Sequence, residues 1–353
     1  MAETLRLTRF DAVDLADPFF DSLKQQYGEF PAWFAKKAQA KEPVYVIDKD
    51  GGPHIRGFVY LKLEEGPLDD VEPPLPAARR LKVGTLKIVA HGTKLGERVI
   101  KKIFDHALRE RVAEIYVTVF DTHASLIELF KRYGFEERAK KATPNGVEMV
   151  LARTMTATTG DIRKDYPFIH AKGRKFWLLA IYPEYHSNLL PDSLLKTETH
   201  DILEDVSHTN AIHKVYIAKL ALTRMRKGDV VVTYRTTDIP GRARFRSVAT
   251  SVCVVEEVRS RGDFASVDEF LKFAQPHSVF TEEELRDWFG AGDRLYAVKM
   301  TYNLALPKRP NRDALLEKVG VSEQPRWDLR ELTRVQFDKI MELGQANEGI
   351  VVD

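Results

Sequence analysis

Cysteine is nearly missing: the 353 residues contain one, Cys253. A single thiol excludes an internal disulfide and a cysteine-cluster zinc site. Its setting in SVATSVCVVEEV marks it as a buried strand residue rather than a nucleophile. Long hydrophobic runs are missing too. No stretch approaches the eighteen or so apolar residues of a membrane span. MAETLRLTRFDAVDLADPFF has neither the basic segment nor the apolar core of a secretory signal, so a cytoplasmic protein with no membrane partner is expected. Charge of one sign is scarce as well: 54 Lys and Arg against 52 Asp and Glu leave a formal net charge of +2. That balance is too weak by itself to argue for nucleic-acid binding, which must rest on local clusters. His170, His186, His208 and His213 show no metal-ligand spacing, so no metal is expected.

What is present is enough apolar residue, 44%, and enough length for two domains of ordinary size. EPVYVIDKDG and IRGFVYLKLEEG, separated by Asp50 to Pro53, have the pattern of a hairpin. LRLTRF precedes them as an edge strand, followed by the helical patterns FFDSLKQQY and FPAWFAKKAQA. EGPLDDVEPPLPAARR reads as a loop, its prolines opposing helix and central strand. LKVGTLKIV reads as a strand, GERVIKKIFDHALRERV as a long amphipathic helix, EIYVTVF as a buried strand, and ASLIELFKRYGF as a helix closed by Gly134. A last strand near GVEMVLARTM completes a β-α-α-β-β-β-α-β-α-β order. Residues 1–155 therefore form one domain and 156–164 a small, polar linker. Residues 165–353 form a second domain dominated by strands with short helices between them, which favours a small barrel or strongly curved sheet.

KIVAHGTKLGERVIKKIF, residues 87–104, carries the chemistry of the first domain. A strand that ends in a glycine-containing turn and opens into a helix leaves several N–H groups aimed at one spot on the positive end of a helix dipole. Such a spot suits an anion, most simply a phosphate. A tight turn without a ligand is the competing reading.

The element order and this turn resemble the GNAT family of acyl-CoA-dependent N-acyltransferases over roughly residues 3 to 155. The family's pyrophosphate turn, Arg/Gln-x-x-Gly-x-Gly/Ala, is matched by HGTKLG, with His91 at the basic position, Gly96 at the final small one and Lys94 in place of the middle glycine. The resemblance implies acetyl-CoA as cofactor, held by His91, Gly92, Thr93, Lys94, Leu95 and Gly96, with Leu86, Lys87 and Ile88 pairing to its pantetheine arm. THASLIELFKRYGF resembles the family's Asn-x-x-Ala-x-x-Leu-Tyr-x-x-x-Gly-Phe helix. Phe130 stands where many members have the tyrosine that protonates the departing thiolate, and phenylalanine donates no proton. Tyr133, nearly a turn further on, is the substitute donor or a packing residue; His123, at the asparagine position, is a cofactor contact or a helix cap. Glu64 and His91, with Glu65 and Asp121, are the candidates for the base that collects the amine proton.

Residues 165 to 345 resemble, more diffusely, the PUA-like superfamily that includes ASCH and EVE domains, which implies a pseudo-barrel associated with RNA. Lys227, Gly228 and Asp229 before VVVTYR carry the resemblance. Local charge agrees. KGRKFW sets Lys172, Arg174 and Lys175 beside two aromatics, LTRMRKGD adds Arg224 and Arg226, and RARFR read as a strand would place Arg242, Arg244 and Arg246 on one face. The combined expectation is an α+β chain that acetylates an amine on RNA, on aminoacyl-tRNA or on an RNA-associated protein. Such a chain has room for a toxin or translation-regulating role and for a homodimer or an antitoxin partner. The alternatives are a non-catalytic sensor of acyl-CoA and RNA, and an acetyltransferase of proteins or small molecules.

Overall fold

The computed structural model describes residues 3–49, 54–89, 95–190, 212–292, 294–324 and 326–353. The described chain clusters into two compact units that divide between Thr159 and Gly160.

The first unit runs β1 (Glu3–Arg9), α1 (Asp21–Gln26), α2 (Phe30–Gln39), β2 (Pro43–Lys49), β3 (Ile55–Leu68), β4 (Leu75–Ile88), α3 (Leu95–Glu110), β5 (Glu114–Val119), α4 (Ala124–Arg132), β6 (Glu136–Thr143) and β7 (Gly146–Thr154). These strands make one seven-stranded sheet in the order β1-β2-β3-β4-β5-β7-β6. Only the β4–β5 contact is parallel. One face is covered by α1 and α2 through a cluster of rings. Phe10 sits 5.4 Å from Phe58 and 5.3 Å from Tyr60, and Phe20 sits 5.2 Å from Phe58. Edge-to-face contacts of this kind add to the stabilisation from area burial. The opposite face carries α3, whose Val99, Ile100, Ile103 and Phe104 are fully buried. Its Lys102 lies 4.8 Å over the ring of Tyr45, which alternates with the Val44 and Val46 of the ring cluster.

Two strand expectations change. EGPLDDVEPPLPAARR is not loop throughout: β3 continues to Leu68 and β4 already begins at Leu75. Of its four prolines, the two that fall within the strands sit where no ladder bond is lost. Pro67 falls at the irregularity between Gly66 and Leu68, and Pro76 precedes Arg80, where β4 first meets β5. EERAKKAT, with only Ala139 and Ala142 apolar, forms β6, an edge strand that buries little beyond Ala139 and so lacks the apolar alternation that would announce it.

The second unit contains β8 (Ile169–His170), β9 (Phe176–Ile181), α5 (Pro183–Leu189), β10 (His213–Ala218), β11 (Val230–Arg235), α6 (Ala243–Arg246), β12 (Val248–Ser260), α7 (Val267–Ala274), α8 (Glu282–Gly290), β13 (Tyr296–Ala305), α9 (Arg312–Glu317), β14 (Leu329–Leu332), α10 (Arg334–Leu343) and β15 (Val351–Val352). Six strands form a mixed sheet, β10-β13-β12-β11-β9-β14, beside the small parallel pair of β15 and β8. Its core gathers Trp177, Leu179, Val231, Cys253, Met300 and Tyr302. Cys253 is fully buried on β12, and burial pushes its thiol up to about 12, so it stays protonated and inert. Thr333 opens α10 with a capping box, its hydroxyl accepting from the Gln336 N–H while the Gln336 side chain accepts from its own. No described helix of the chain is long and apolar enough to cross a membrane.

Candidate functional site

The sheet of the first unit comes apart in the middle. The β4–β5 ladder holds for four pairs, Arg80↔Glu114 to Val83↔Val117, and stops. From there β4 continues to Ile88 paired only with β3, and β5 continues to Val119 paired only with β7. The parting begins at a bulge. Tyr60 opposes Thr85 and Leu61 opposes Val83, which leaves Gly84 as the extra residue. A Cβ on Gly84 would stand 2.8 Å from Cδ1 of Tyr60, so only glycine fits beneath that ring. Past the bulge the Val89 N–H donates to the Arg56 carbonyl. Antiparallel alternation then turns the N–H and C=O of Thr85 and Lys87 towards β3, and those of Leu86 and Ile88 into the gap. Helix α3 follows the open end of β4, and α4 follows that of β5.

The expected site residues divide around this gap. His91, Gly92, Thr93 and Lys94 lie outside the described residues. Leu95 opens α3 and is buried; Gly96 meets α4, where an added Cβ would lie 3.0 Å from a Leu129 methyl. Leu86 and Ile88 offer their backbone to the gap, whereas Lys87 uses its own on β3. The Lys87 ammonium donates to the Phe19 carbonyl and to Ser22 Oγ at 2.5 Å, clipping the start of α1 onto the open half of β4. Burial pushes that ammonium below the usual lysine range, against the pull of Asp21. His123 is the N-cap residue of α4, with Nε2 3.1 Å from Nε2 of Gln26. Phe130 and Tyr133 are both fully buried, Phe130 packing edge-on to Phe135 at 4.8 Å.

Glu64 does not reach the gap. It opposes Arg80, well behind the bulge, where the sheet is still closed. Burial pushes its carboxyl up, but the Tyr116 hydroxyl and Lys62 at 2.9 Å, with Lys82 beyond, outweigh burial and hold it below the usual carboxylate range. A carboxylate held so firmly ionised is a weak proton acceptor.

Sequence reasoning missed a cluster at the open end of β5. Tyr27, just after α1, stacks on Phe120 at 5.6 Å and donates to Glu148 Oε1 at 3.2 Å. Burial, with Glu148 and Glu29 close by, pushes the Tyr27 phenol well above its ordinary value. Asn145 Nδ2 donates to both oxygens of Glu29, at 2.9 and 3.1 Å. These contacts join residues about 120 positions apart, and no local spacing announces them.

In the second unit the basic clusters are reorganised. RARFR is not a strand: Ala243–Arg246 is a short helix, so Arg242, Arg244 and Arg246 do not share a strand face. Gly241, at a φ of 74°, lies in the connection between β11 and this helix. Arg244 is held by Asp313 at 2.7 Å and Glu317 at 2.8 Å. Arg242 and Arg246 are exposed. The aromatics of KGRKFW face inward: Phe176 stacks on Phe337 at 4.6 Å, and Trp177 Nε1 donates to Asp229 at 2.9 Å. Lys175 and Arg224 lie over the Trp177 ring at 5.6 and 5.1 Å. Asp229 also accepts from the Arg226 and Lys175 N–H groups, so the Lys227-Gly228-Asp229 turn has a structural task. Arg174 packs against Gly228, where a Cβ would meet its guanidinium at 2.6 Å; Lys172 is exposed.

This unit also holds a cavity of about 650 Å³, lined by Tyr182, Tyr216, Tyr234, Phe280, Trp288 and Trp327 among others. Tyr234 and Trp327 lie 5.3 Å apart. Arg312 and Arg330 stand over Trp327 at 4.5 and 5.1 Å. The Trp327 Nε1–H and the Tyr234 hydroxyl are buried without a well-formed hydrogen bond, although Tyr234 lies close to Ser247 and Arg312. Both atoms lie behind the cavity wall, which their rings line. Tyr182, at 68% exposure, and Phe245, at 67%, present rings to solvent on the same unit.

No protein-family model and no curated protein matches the chain. Solved structures do resemble parts of it. The chain is similar to N-acetyltransferases and to an ASCH protein, each over somewhat less than half its length. The ASCH protein of Zymomonas mobilis is 14% identical, with 48% of this chain and 96% of that chain covered and a TM-score of 0.34. Naa50 of Arabidopsis thaliana, solved with the bisubstrate analogue CoA-Ac-MVNAL, is 17% identical, with 44% and 99% covered and a TM-score of 0.30. An N-acetyltransferase of Staphylococcus aureus is 11% identical, with 44% and 99% covered and a TM-score of 0.32.

Proposed function

We propose that this chain is an acetyl-CoA-dependent N-acetyltransferase whose acyl carrier lies in the β4–β5 gap and whose second unit binds RNA. The acceptor on this reading is an RNA-linked amine, on a base, on aminoacyl-tRNA or on an RNA-associated protein. The observation that carries it is the parting of β4 from β5 at the Gly84 bulge. An interior sheet edge with unpaired N–H and C=O groups needs a partner, and an extended chain with amides of its own is the fitting one. Leu86 and Ile88 supply those groups, and the positive end of the 16-residue α3 lies beyond the turn. Acetyl-CoA, when bound, supplies an activated acyl thioester. This chain's residues hold it along β4, keep α1 in place through Lys87, and leave the amine to enter from the α1 face.

The RNA part of the reading draws on the second unit. An aromatic cavity suits an unstacked base, and exposed rings suit stacking of its neighbours. Arg242 and Arg246 suit phosphates. If tRNA is the acceptor, a toxin or translation-regulating role, with a homodimer or antitoxin partner, comes within reach. The buried Phe130 favours a second reading, a sensor that binds acyl-CoA and RNA without turnover.

Calorimetric titration of the full chain with acetyl-CoA and desulfo-CoA tests the first step, with Gly92→Glu placing a carboxylate in the expected phosphate turn. Binding of both ligands by the wild type, lost in a folded variant, is the expected result. No binding by the wild type would refute the acyltransferase and sensor readings together; binding without acetyl transfer to bulk aminoacyl-tRNA, RNA or peptide amines would leave the sensor.

A further inference from the structure

Glu148 is buried in a way its neighbours are not. It lies on β7 at 6% exposure, and among the described residues its side chain accepts one hydrogen bond, from the Tyr27 phenol. Among the described residues no lysine, arginine or histidine pairs with it. The other buried carboxylates are more fully partnered: Asp229 accepts from Trp177 Nε1 and two backbone N–H groups, Asp165 lies 2.7 Å from His170 Nε2, and Glu256 has Arg163 at 2.9 Å together with His213. A carboxylate withdrawn from water without a countercharge costs several kcal/mol. A fold that keeps one gives up stability, and the usual return is function.

Its position says what that function would be. The β5–β7 ladder ends at Val119↔Met149, and Glu148 is the next residue outward on β7. It is therefore about one strand spacing, roughly 5 Å, from β5 at the end where β5 has left β4. Side-chain alternation places it with Val150 and Ala152, on the face of Tyr116. Tyr27 closes over it from the end of α1 and rests on Phe120, the residue after β5. Glu29, held by Asn145, adds a second negative charge nearby. The surroundings are acidic and aromatic, with a hydroxyl to orient one carboxylate oxygen.

We infer that Glu148 is the amine-receiving carboxylate of the acyl-transfer site, a role that rests on the function proposed above. It is the counter-ion of an incoming alkylammonium and the acceptor of its proton, and it favours amines over hydroxyl or thiol acceptors; Tyr27 positions it. One proton of R–NH3+ passes to a Glu148 oxygen, and the freed lone pair forms the nitrogen–carbon bond as the carbon–sulfur bond breaks. A second N–H proton goes to the sulfur. The products are an amide and a thiol, and Glu148 returns its proton to water.

The experiment uses the full chain and Glu148→Gln, whose amide still accepts from Tyr27 but carries no charge. Without any ligand the variant should melt higher, by about 2 to 4 °C, because the uncompensated charge is gone. With acetyl-CoA binding unchanged by calorimetry, transfer to bulk aminoacyl-tRNA and to spermidine should fall about 100-fold or more in kcat. Glu148→Asp should recover part of it. A lower melting temperature for Glu148→Gln would make Glu148 a structural residue and overturn the inference. So would unchanged kcat, or a wild type that binds acetyl-CoA and acetylates neither amine. A wild type that fails to bind acetyl-CoA refutes the acyltransferase reading itself, which the calorimetry reports separately.

Discussion

Gly84→Ala is the smallest change that interrogates the gap. The added carbon would lie 2.8 Å from Cδ1 and 3.2 Å from Cε1 of Tyr60. Ordinary carbon contacts sit near 3.5 to 4.0 Å, so the ring or the strand must move by roughly 0.7 Å or more. The ring has little room. Phe10 and Trp33 pack against it at 5.3 and 5.6 Å, and its hydroxyl donates to Glu42 while accepting from Lys37 at 3.0 Å. Overpacking of a held ring costs roughly 1 to 3 kcal/mol. Because the strain falls on the β3–β4 ladder, it should appear as faster hydrogen exchange, by about 5- to 150-fold, at amides of residues 57–61 and 83–88. Acetyl-CoA affinity should fall with it, because the bulge is what turns Leu86 and Ile88 to the gap. Exchange within a factor of two of wild type would show that the bulge does not depend on a bare glycine. The proposed cofactor site would then lose its geometric basis.

Two further outcomes separate structural from functional buried groups. Burial pushes the Glu256 carboxyl up, but the His213 hydrogen bond, with Arg163 and Lys299, outweighs burial and holds it at about 2. Since the folded value lies below the unfolded one, this carboxylate stabilises the chain above pH ~4.5 and loses that contribution as pH falls towards 2. The loss is on the order of 2 to 3 kcal/mol; urea midpoints from pH 6 to 2.5 should drop more steeply in wild type than in Glu256→Gln, and parallel curves would refute it. Trp327→Leu removes an aromatic ring from the cavity lining. Affinity for a single-stranded RNA oligomer, read by fluorescence anisotropy at fixed salt, should fall at least tenfold with the loss of a stacking ring. Unchanged affinity would remove the cavity from RNA recognition.

The sequence shows its elements where periodicity is strong and hides what depends on pairing. The amphipathic run through Val99, Ile103 and Phe104 announces α3, and Thr333 announces α10, because each signal is local. The polar β6 has no apolar face to reveal it, and Pro67 and Pro76 hide the length of the β3–β4 hairpin because whether a proline breaks a strand depends on which edge is paired. Arg242, Arg244 and Arg246 read as a strand stripe because they alternate, and a four-residue helix is too short to show a helical period. The motif beside them draws attention to Leu86 and Ile88, but the turn of their backbone into the gap depends on the Gly84 bulge, which only the register displays. Glu64 was chosen for its type and nearness in sequence. The chain places it among lysines behind the bulge, while Glu148, 84 positions further on, meets Tyr27 through a contact no local spacing announces.

The charges of the two units bear on the acceptor. An aminoacyl-tRNA is a polyanion that ends in one alkylammonium, so a protein that acetylates it must offer cations to most of the ligand and an anion to the reacting end. The second unit leaves Arg242 and Arg246 exposed, while Arg244 is already neutralised by Asp313 and Glu317. The first unit keeps Glu148 buried without a cation and Glu29 close to it. A neutral small-molecule acceptor would explain the carboxylates and leave the arginines idle; a nucleobase amine, which is not protonated in water, would use the arginines and leave Glu148 without a counter-ion. Both features are used at once only by an alkylamine carried on a nucleic acid. On the proposed function, aminoacyl-tRNA is therefore the acceptor with which turnover should be sought first, ahead of bare RNA and ahead of polyamines.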